Sequence, residues 1–171
     1  NLFGFPYMQL VPVIARDVLG GDEILFGFLL SSSALGAMTG SLIIASKKII
    51  RLGLLYLGGA LLMLFALFMF SFSNIYLVSA ALLFVVGLGS SAFATMQVAI
   101  ALSTVNSEQR GRAMGSVALG IGASPLGMLG TGYLADIIGA QYSLALCSGT
   151  GILIMLLLTL FLPTMRNYSS N

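Results

Sequence analysis

The chain has 171 residues, of which seven are Lys or Arg, five are Asp or Glu and none is His. Charged residues make up 7% of the chain, compared with about 25% in an ordinary soluble domain. Twelve charges cannot cover a soluble surface, so the soluble classes are excluded. Without His and with one Cys, we expect no His-ligated metal, no internal disulfide and no cofactor. No basic run with interleaved aromatic residues occurs, so we expect no nucleic-acid partner.

Long apolar segments between the few charges predict helices that cross a membrane. A span needs about 20 apolar residues, and residues 52–107 carry no charge. This stretch therefore predicts two spans, divided at the polar cluster 71–74. The predicted segments are 1–15, 24–45, 52–72, 75–104, 112–136 and 143–162. The predicted class is an all-α integral membrane protein with six transmembrane helices.

The first and fourth segments depart from the usual length of a span. Segment 1–15 is too short, and the chain begins without Met and already apolar. It lacks the basic front and cleavage site of a signal peptide, so we expect a chain cut inside a helix. Segment 75–104 is long, and it can tilt or project beyond the hydrocarbon.

The charges divide unequally between the two sets of loops that alternate along the chain. The first set carries Lys47, Lys48, Arg51, Arg110, Arg112 and Arg166, with Glu108 as its only acid. The second set carries Arg16, Asp17, Asp22, Glu23 and Asp136. Because basic loops stay in the cytoplasm, we expect the first set and the C-terminus on the cytoplasmic side of an inner or plasma membrane.

Small residues recur where helices must pack closely without help from a hydrophobic driving force. Ser32, Gly36 and Gly40 form a stripe along the second segment. The fifth segment contains Gly120, Gly122 and Pro125, which predict a kink or opening near 121–125. These residues either permit static packing or let helices slide and bend during transport, and the sequence leaves both interpretations open.

Three motifs occur in order through the second half of the chain. They are Asn106-Ser-Glu-Gln-Arg-Gly-Arg-Ala-Met-Gly-Ser116, Pro125-Leu-Gly127 and Gly132-Tyr-Leu-Ala-Asp136-Ile-Ile-Gly139. They resemble the region around the eleventh helix in the major facilitator superfamily. Residues 11–20 and 26–27 resemble the end of its seventh helix and the start of its eighth. The motifs are most similar to a bacterial branch of drug and siderophore exporters, the enterobactin-exporter-like or transmembrane secretion effector group (drug:H⁺ antiporter-3).

The resemblance implies that residues 1–171 form the C-terminal six-helix half of a twelve-helix transporter. The partners it implies are an N-terminal half of the same polypeptide, a small-molecule substrate and the lipid bilayer. Two positions depart from the family pattern. Asn106 replaces a usual Pro, which matters little because Asn caps helices well. The loop 46–51 keeps its basic charge but lacks the Asp of the family's Gly-x-x-x-Asp-Arg-x-Gly-Arg motif.

In the superfamily, the first, second, fourth and fifth segments of this half line the substrate path. The third and sixth lie outside, which agrees with their Leu-, Met- and Phe-rich composition. The candidate path residues are Tyr7, Met8, Gln9, Ser32, Thr95, Met96, Gln97 and Ser124. The alternative for each is simple packing or an interhelical hydrogen bond. Gln97 is the strongest candidate, because an amide within a span needs a partner or water.

Two Arg residues flank a Gly at the cytoplasmic start of the fifth segment. One interpretation of Arg110, Gly111 and Arg112 is ordinary anchoring by positive charge. The other is a latch, because the resemblance implies that this helix start meets a conserved loop of the other half. A positive helix end and an Arg would both attract an acidic partner there.

The predicted function is export of small amphipathic molecules, such as macrolide drugs or siderophores, by proton-coupled alternating access. This chain has no mid-span carboxylate, so the coupling group is expected in the other half. Asp136 lies only at the outer end of its segment. The alternatives are a lysolipid flippase of the same fold and a non-transporting scaffold or sensor. We expect no enzyme, since no HExxH or GxSxG motif and no intramembrane carboxylate pair occurs.

Overall fold

The computed structural model describes residues 1–47 and 51–161, and the regular structure within these ranges is entirely helical. The helices are α1 (Tyr7–Asp17), α2 (Glu23–Ser46), α3 (Leu52–Ser71), α4 (Tyr76–Ser103), α5 (Arg110–Gly122), α6 (Ser124–Ile138) and α7 (Ala140–Phe161). A short 3₁₀ helix, Ser107–Gln109, precedes α5. The predicted all-α class is confirmed. Lys48, Arg166 and the last residue of the sixth predicted segment lie outside the described residues.

Five stretches of the described chain are long and apolar enough to cross a membrane. They are Glu23–Ser46, Leu52–Ser71, Tyr76–Ser103, Ser107–Ile138 and Ala140–Phe161. Helix α1 has 11 residues, too few to cross alone, as the sequence predicts. Helices α5 and α6 together form the fifth predicted segment. The structure thus contains the six predicted segments, one of them divided.

Helix α4 lies at the centre of the bundle and meets α2 backbone to backbone. A Cβ atom added at Gly36 of α2 would lie 2.8 Å from the carbonyl carbon of Phe84. A Cβ atom added at Gly87 of α4 would lie 2.6 Å from the amide nitrogen of Ala37. Without these hydrogen-only side chains the two helices could not approach so closely. The glycine stripe of the second segment therefore serves helix packing.

Helix α3 packs on the other side of α4, again through small residues. A Cβ atom at Gly89 would lie 2.7 Å from the carbonyl oxygen of Gly59. Half of the apolar window of α3 is buried inside the bundle. Helix α3 is therefore not wholly lipid-facing, although its Leu-rich composition predicts that it is. Lipid and protein interior are equally apolar, so composition alone cannot separate a packed face from a lipid face.

The hydroxyl groups inside the bundle are paired, and some of these hydrogen bonds join one helix to the next. The Tyr7 hydroxyl of α1 lies 3.0 Å from the Ser33 hydroxyl of α2. The Ser143 hydroxyl of α7 donates to the Thr131 carbonyl of α6 at 2.8 Å. Among the described residues, no buried side-chain nitrogen or oxygen lacks a partner. Hydrogen bonds thus supplement close packing in a bundle that gains little from hydrophobic burial.

The two charge sets lie at opposite ends of the bundle, as the predicted topology requires. At one end, the Tyr76 hydroxyl donates to the Leu25 carbonyl at 3.2 Å, which places the starts of α4 and α2 together. We call this the acidic end, and its charged residues are Arg16, Asp17, Asp22, Glu23 and Asp136. The opposite end is the basic end, and its described cations are Lys47, Arg51, Arg110 and Arg112.

Candidate functional site

The fifth predicted segment is divided into α5 and α6 at Ala123, within the stretch where the sequence predicts a kink. Pro125 lies in the first turn of α6, where its missing amide hydrogen costs no helical hydrogen bond. A Cβ atom added at Gly122 would meet nothing within 4 Å, so packing does not require this glycine. Gly120 is half-buried and lies one turn before the break. That these residues allow bending remains a prediction.

The α5–α6 span is the least covered of the candidate spans. Only 11% of its apolar window is buried. Leu129 is 72% exposed and Tyr133 is 69% exposed. This face is open in the described chain, so it is available to lipid, to a partner or to a water-filled path.

A groove of about 550 Å³ runs between α1 and the open face of α6. It is lined by Gln9, Pro125, Met128, Leu129, Gly132 and Tyr133. None of these residues is charged. The groove therefore combines an apolar wall with two polar groups, the Gln9 amide and the Tyr133 hydroxyl.

The amide of Gln9 is held in one orientation by α6. Its Nε2 atom donates to the Met128 carbonyl at 2.5 Å and to the Thr131 hydroxyl at 2.8 Å. The Thr131 hydroxyl donates in turn to the Gly127 carbonyl at 2.9 Å, so it must accept from Gln9. A primary amide has two donor hydrogens, and both are used here.

The carbonyl oxygen of Gln9 is consequently a fixed acceptor at the groove. No described residue donates a hydrogen bond to its Oε1 atom. Every buried side-chain oxygen of the described residues has a partner, so this unpaired oxygen is not fully buried. Gln9 lines the groove, so a ligand there with an N–H or O–H group has an unpaired acceptor close by.

Gln97 of α4 lies near the end of α5, away from this groove. Its Nε2 atom would be 3.8 Å from a Cβ atom added at Gly120. The side chain is half-buried, and it makes no hydrogen bond to the described part of the chain. This amide is therefore available to a ligand or to water at the level of the α5–α6 break.

The other predicted path residues fall into two groups. Met8 is 51% exposed on α1, and Thr95 is exposed on α4. Ser124 is half-buried at the start of α6, and the Ser32 hydroxyl donates to the Phe28 carbonyl of its own helix at 2.9 Å. These four remain accessible.

Tyr7 and Met96, by contrast, are each only 3% exposed. Tyr7 lies on the face of α1 that packs inside the bundle, with its hydroxyl paired to Ser33. Both side chains are covered by neighbouring helices, so neither opens onto the groove in this conformation. For these two residues the structure favours the packing alternative.

The predicted latch residues lie at the basic end, at the start of α5. Arg110, Gly111 and Arg112 are all exposed. Within residues 1–47 and 51–161 the one ion pair is Arg16–Asp17 at the acidic end, with N and O 2.6 Å apart. Both guanidinium groups at the start of α5 are therefore available to an acidic partner outside the described residues.

Five residues of α6 at this site were not identified from the sequence, and they are Met128, Leu129, Thr131, Gly132 and Tyr133. Pro125, Leu129 and Tyr133 recur every four residues, and Gly132 lies three residues after Leu129, which places all four on one face of a helix. That periodicity could have found the face, although only a tertiary contact shows that Gln9 lies against it.

A family model described as Major Facilitator Superfamily matches residues 2–171. No curated protein matches the chain, and no solved structure matches it either. The family match agrees with the motif order in the sequence and with the helical membrane fold. The chain belongs to the Major Facilitator Superfamily of membrane transporters.

Proposed function

We propose that this chain is the C-terminal half of a secondary transporter that exports small amphipathic molecules by alternating access. The observation that carries the proposal is the uncharged groove between α1 and α6. Its apolar wall suits a hydrophobic body, and the fixed Gln9 carbonyl oxygen suits a single N–H or O–H donor. Phosphates and sugar acids would find no cation in the groove lining.

The direction of export and the energy source rest on the motifs and the charge distribution. The motifs resemble those of bacterial drug and siderophore exporters, which favours macrolides or siderophores as substrates. The basic end is assigned to the cytoplasm by the positive-inside rule. The α6 carboxylate, Asp136, lies at the acidic end. A proton-coupling carboxylate is therefore proposed in an N-terminal half.

The break at Ala123 gives the proposed transporter a moving part. Helix α5 packs on α4, whereas α6 packs on α7 and touches α1. Because different helices hold the two pieces, α5 can change its angle at Gly122 while α6 keeps the groove intact. The start of α5, from Arg110 to Arg112, would then dock on an acidic loop of the other half when the cytoplasmic side closes.

Arg112→Ala tests this latch in the intact protein. A charge-assisted hydrogen bond at a partly exposed site contributes on the order of 1.5–3 kcal/mol. Its loss should shift the access equilibrium by about tenfold or more towards the cytoplasm-open state. We expect slower transport, and faster labelling of cysteines introduced into the cytoplasmic side of the path. Arg112→Lys should give intermediate rates of both. Transport and labelling that both match the wild type would contradict the latch.

Drug accumulation tests the function itself. The intact protein would be expressed in bacteria that lack their own major drug exporters, and uptake of radiolabelled erythromycin would be followed. We expect accumulation to fall, and a protonophore to restore it. Unchanged accumulation of erythromycin and of a siderophore, with the protein shown to be in the membrane, would contradict the export proposal.

A lysolipid flippase is the second candidate, because the groove opens on the least covered span of the chain. Such an opening could admit a single-chain lipid sideways from the bilayer. Reconstituted vesicles carrying a fluorescent lysolipid separate the two functions. Protein-dependent movement of the lysolipid between leaflets without drug transport would favour the flippase.

A further inference from the structure

A second groove lies at the basic end, between the end of α2 and the start of α3. These two helices each pack along α4 rather than along each other, which leaves a cleft of about 380 Å³. The described residues that line it are Ile43, Ile44, Lys47, Arg51, Leu54 and Leu55. The cleft is separate from the groove of the proposed path, since the two share no lining residue.

The mouth of this cleft is positively charged. Lys47 directly follows α2 and Arg51 directly precedes α3, and both are exposed. Neither forms an ion pair within the described residues. The first turn of α3 has no acidic residue, and its N-cap residue makes no side-chain cap bond, so the positive end of the helix dipole lies at the mouth as well. Two cations and a helix start thus face the same mouth.

The walls of the cleft are apolar and continue towards the membrane interior. Ile43 and Leu54 are each 47% exposed, so neither is covered by a neighbouring helix. A neutral lipid would cover these walls and leave the two cations unpaired. A soluble anion would pair with the cations and leave the walls uncovered. Only a ligand with an anionic head and a hydrocarbon chain complements both parts.

We propose that this cleft binds one anionic phospholipid of the cytoplasmic leaflet. Its phosphate would lie between Lys47 and Arg51, and one acyl chain would lie along Ile43 and Leu54. Basic pockets between transmembrane helices at the cytoplasmic surface suit such headgroups. The bound lipid would bridge α2 and α3, which each pack mainly on α4. The inference stands independently of which substrate the transporter carries.

The test titrates the purified intact protein in a neutral detergent with dioctanoyl-phosphatidylglycerol, counting bound lipid by native mass spectrometry. Dioctanoyl-phosphatidylcholine has the same chains with a neutral head, and inorganic phosphate has the charge without the chains. We expect the anionic lipid to bind and to raise the thermal unfolding midpoint, and the other two to do neither. Equal binding of phosphatidylcholine, or displacement of the anionic lipid by inorganic phosphate, would overturn the proposal.

Paired variants then locate the site. The double variant Lys47→Gln with Arg51→Gln should weaken anionic-lipid binding about 25-fold, roughly fivefold for each cation. Lys47→Arg with Arg51→Lys should keep most of it. Arg110→Gln removes a cation from the same end but outside the cleft, so it should bind the lipid as the wild type does. Undiminished binding by the double Gln variant, or an equal loss in Arg110→Gln, would place the lipid elsewhere.

Discussion

Replacing Gly87 with Ala should destabilise the bundle by about 1–3 kcal/mol, the usual cost of forcing an extra methyl group into a packed contact. The added Cβ atom would lie 2.6 Å from the amide nitrogen of Ala37 and 3.0 Å from the carbonyl carbon of Gly36. Backbone cannot rotate away as a flexible side chain can, so α2 and α4 must separate. The measurement is unfolding of the intact protein in a mild detergent, by heat or by titrated sodium dodecyl sulfate.

Gly58→Ala is the matched control for this effect. Gly58 lies in the middle of α3 and is exposed, and a Cβ atom there would meet nothing within 4 Å. Ala favours a helix interior over Gly by up to about 1 kcal/mol, so this variant should be neutral or slightly more stable. If Gly87→Ala proved no less stable than Gly58→Ala, the backbone contact between α2 and α4 would be refuted.

Replacing Gln9 with Leu should have the largest effect on transport. It removes a fixed carbonyl acceptor beside the groove, so substrates that donate a hydrogen bond should lose binding. A lost bond of this kind costs about 1–2 kcal/mol, which corresponds to a rise of about 5- to 30-fold in KM. The measurement is the concentration dependence of transport for an amphipathic substrate with an N–H or O–H group.

Thr131→Val separates this recognition role from a structural one. The change removes one of the two bonds that tie Gln9 to α6 but leaves the Gln9 carbonyl oxygen in place. Its KM should rise less than about threefold, because the Met128 carbonyl still holds the amide. Equal losses in Gln9→Leu and Thr131→Val would mean that Gln9 only fastens α1 to α6.

The positions of the spans could be predicted because membrane length and charge are properties of the sequence itself. The break in the fifth segment could be predicted from Pro125 for the same local reason. Errors at helix ends also have local causes. Helix α7 begins at Ala140, before the predicted start at 143, because Gly139 ends α6 with φ of 88°, which glycine adopts readily.

The facing of individual side chains could not be predicted in the same way. Tyr7 and Gln9 are two residues apart on α1, yet Tyr7 packs inside and Gln9 borders the groove. A soluble helix reveals its buried face by the contrast between polar and apolar residues. In the helices that can cross a membrane both faces are apolar, so this contrast is weak there. Helix α1 keeps the contrast, with Leu10, Val11 and Ile14 buried on one face, and the choice of both Tyr7 and Gln9 as path residues overlooked it. The contact between Gln9 and Thr131 also joins residues 122 positions apart, which no local pattern encodes.

The proposal that the open face of α6 lines a water-filled path is tested most directly by cysteine labelling. All native cysteines of the intact protein, including Cys147, would first be replaced with Ser. Leu129→Cys then places a thiol on the groove, and Leu153→Cys places one on α7, where the side chain is 59% exposed. A membrane-impermeant thiol reagent is then applied to inside-out and right-side-out vesicles.

We expect the thiol at 129 to react much faster than the thiol at 153, and transported substrate to slow its reaction. A thiolate forms in water and not in hydrocarbon, so the rate reports whether the position faces a path or lipid. If the two positions reacted at the same low rate from both sides, the open face of α6 would be a lipid-facing surface, and the α1–α6 groove would not be the substrate path.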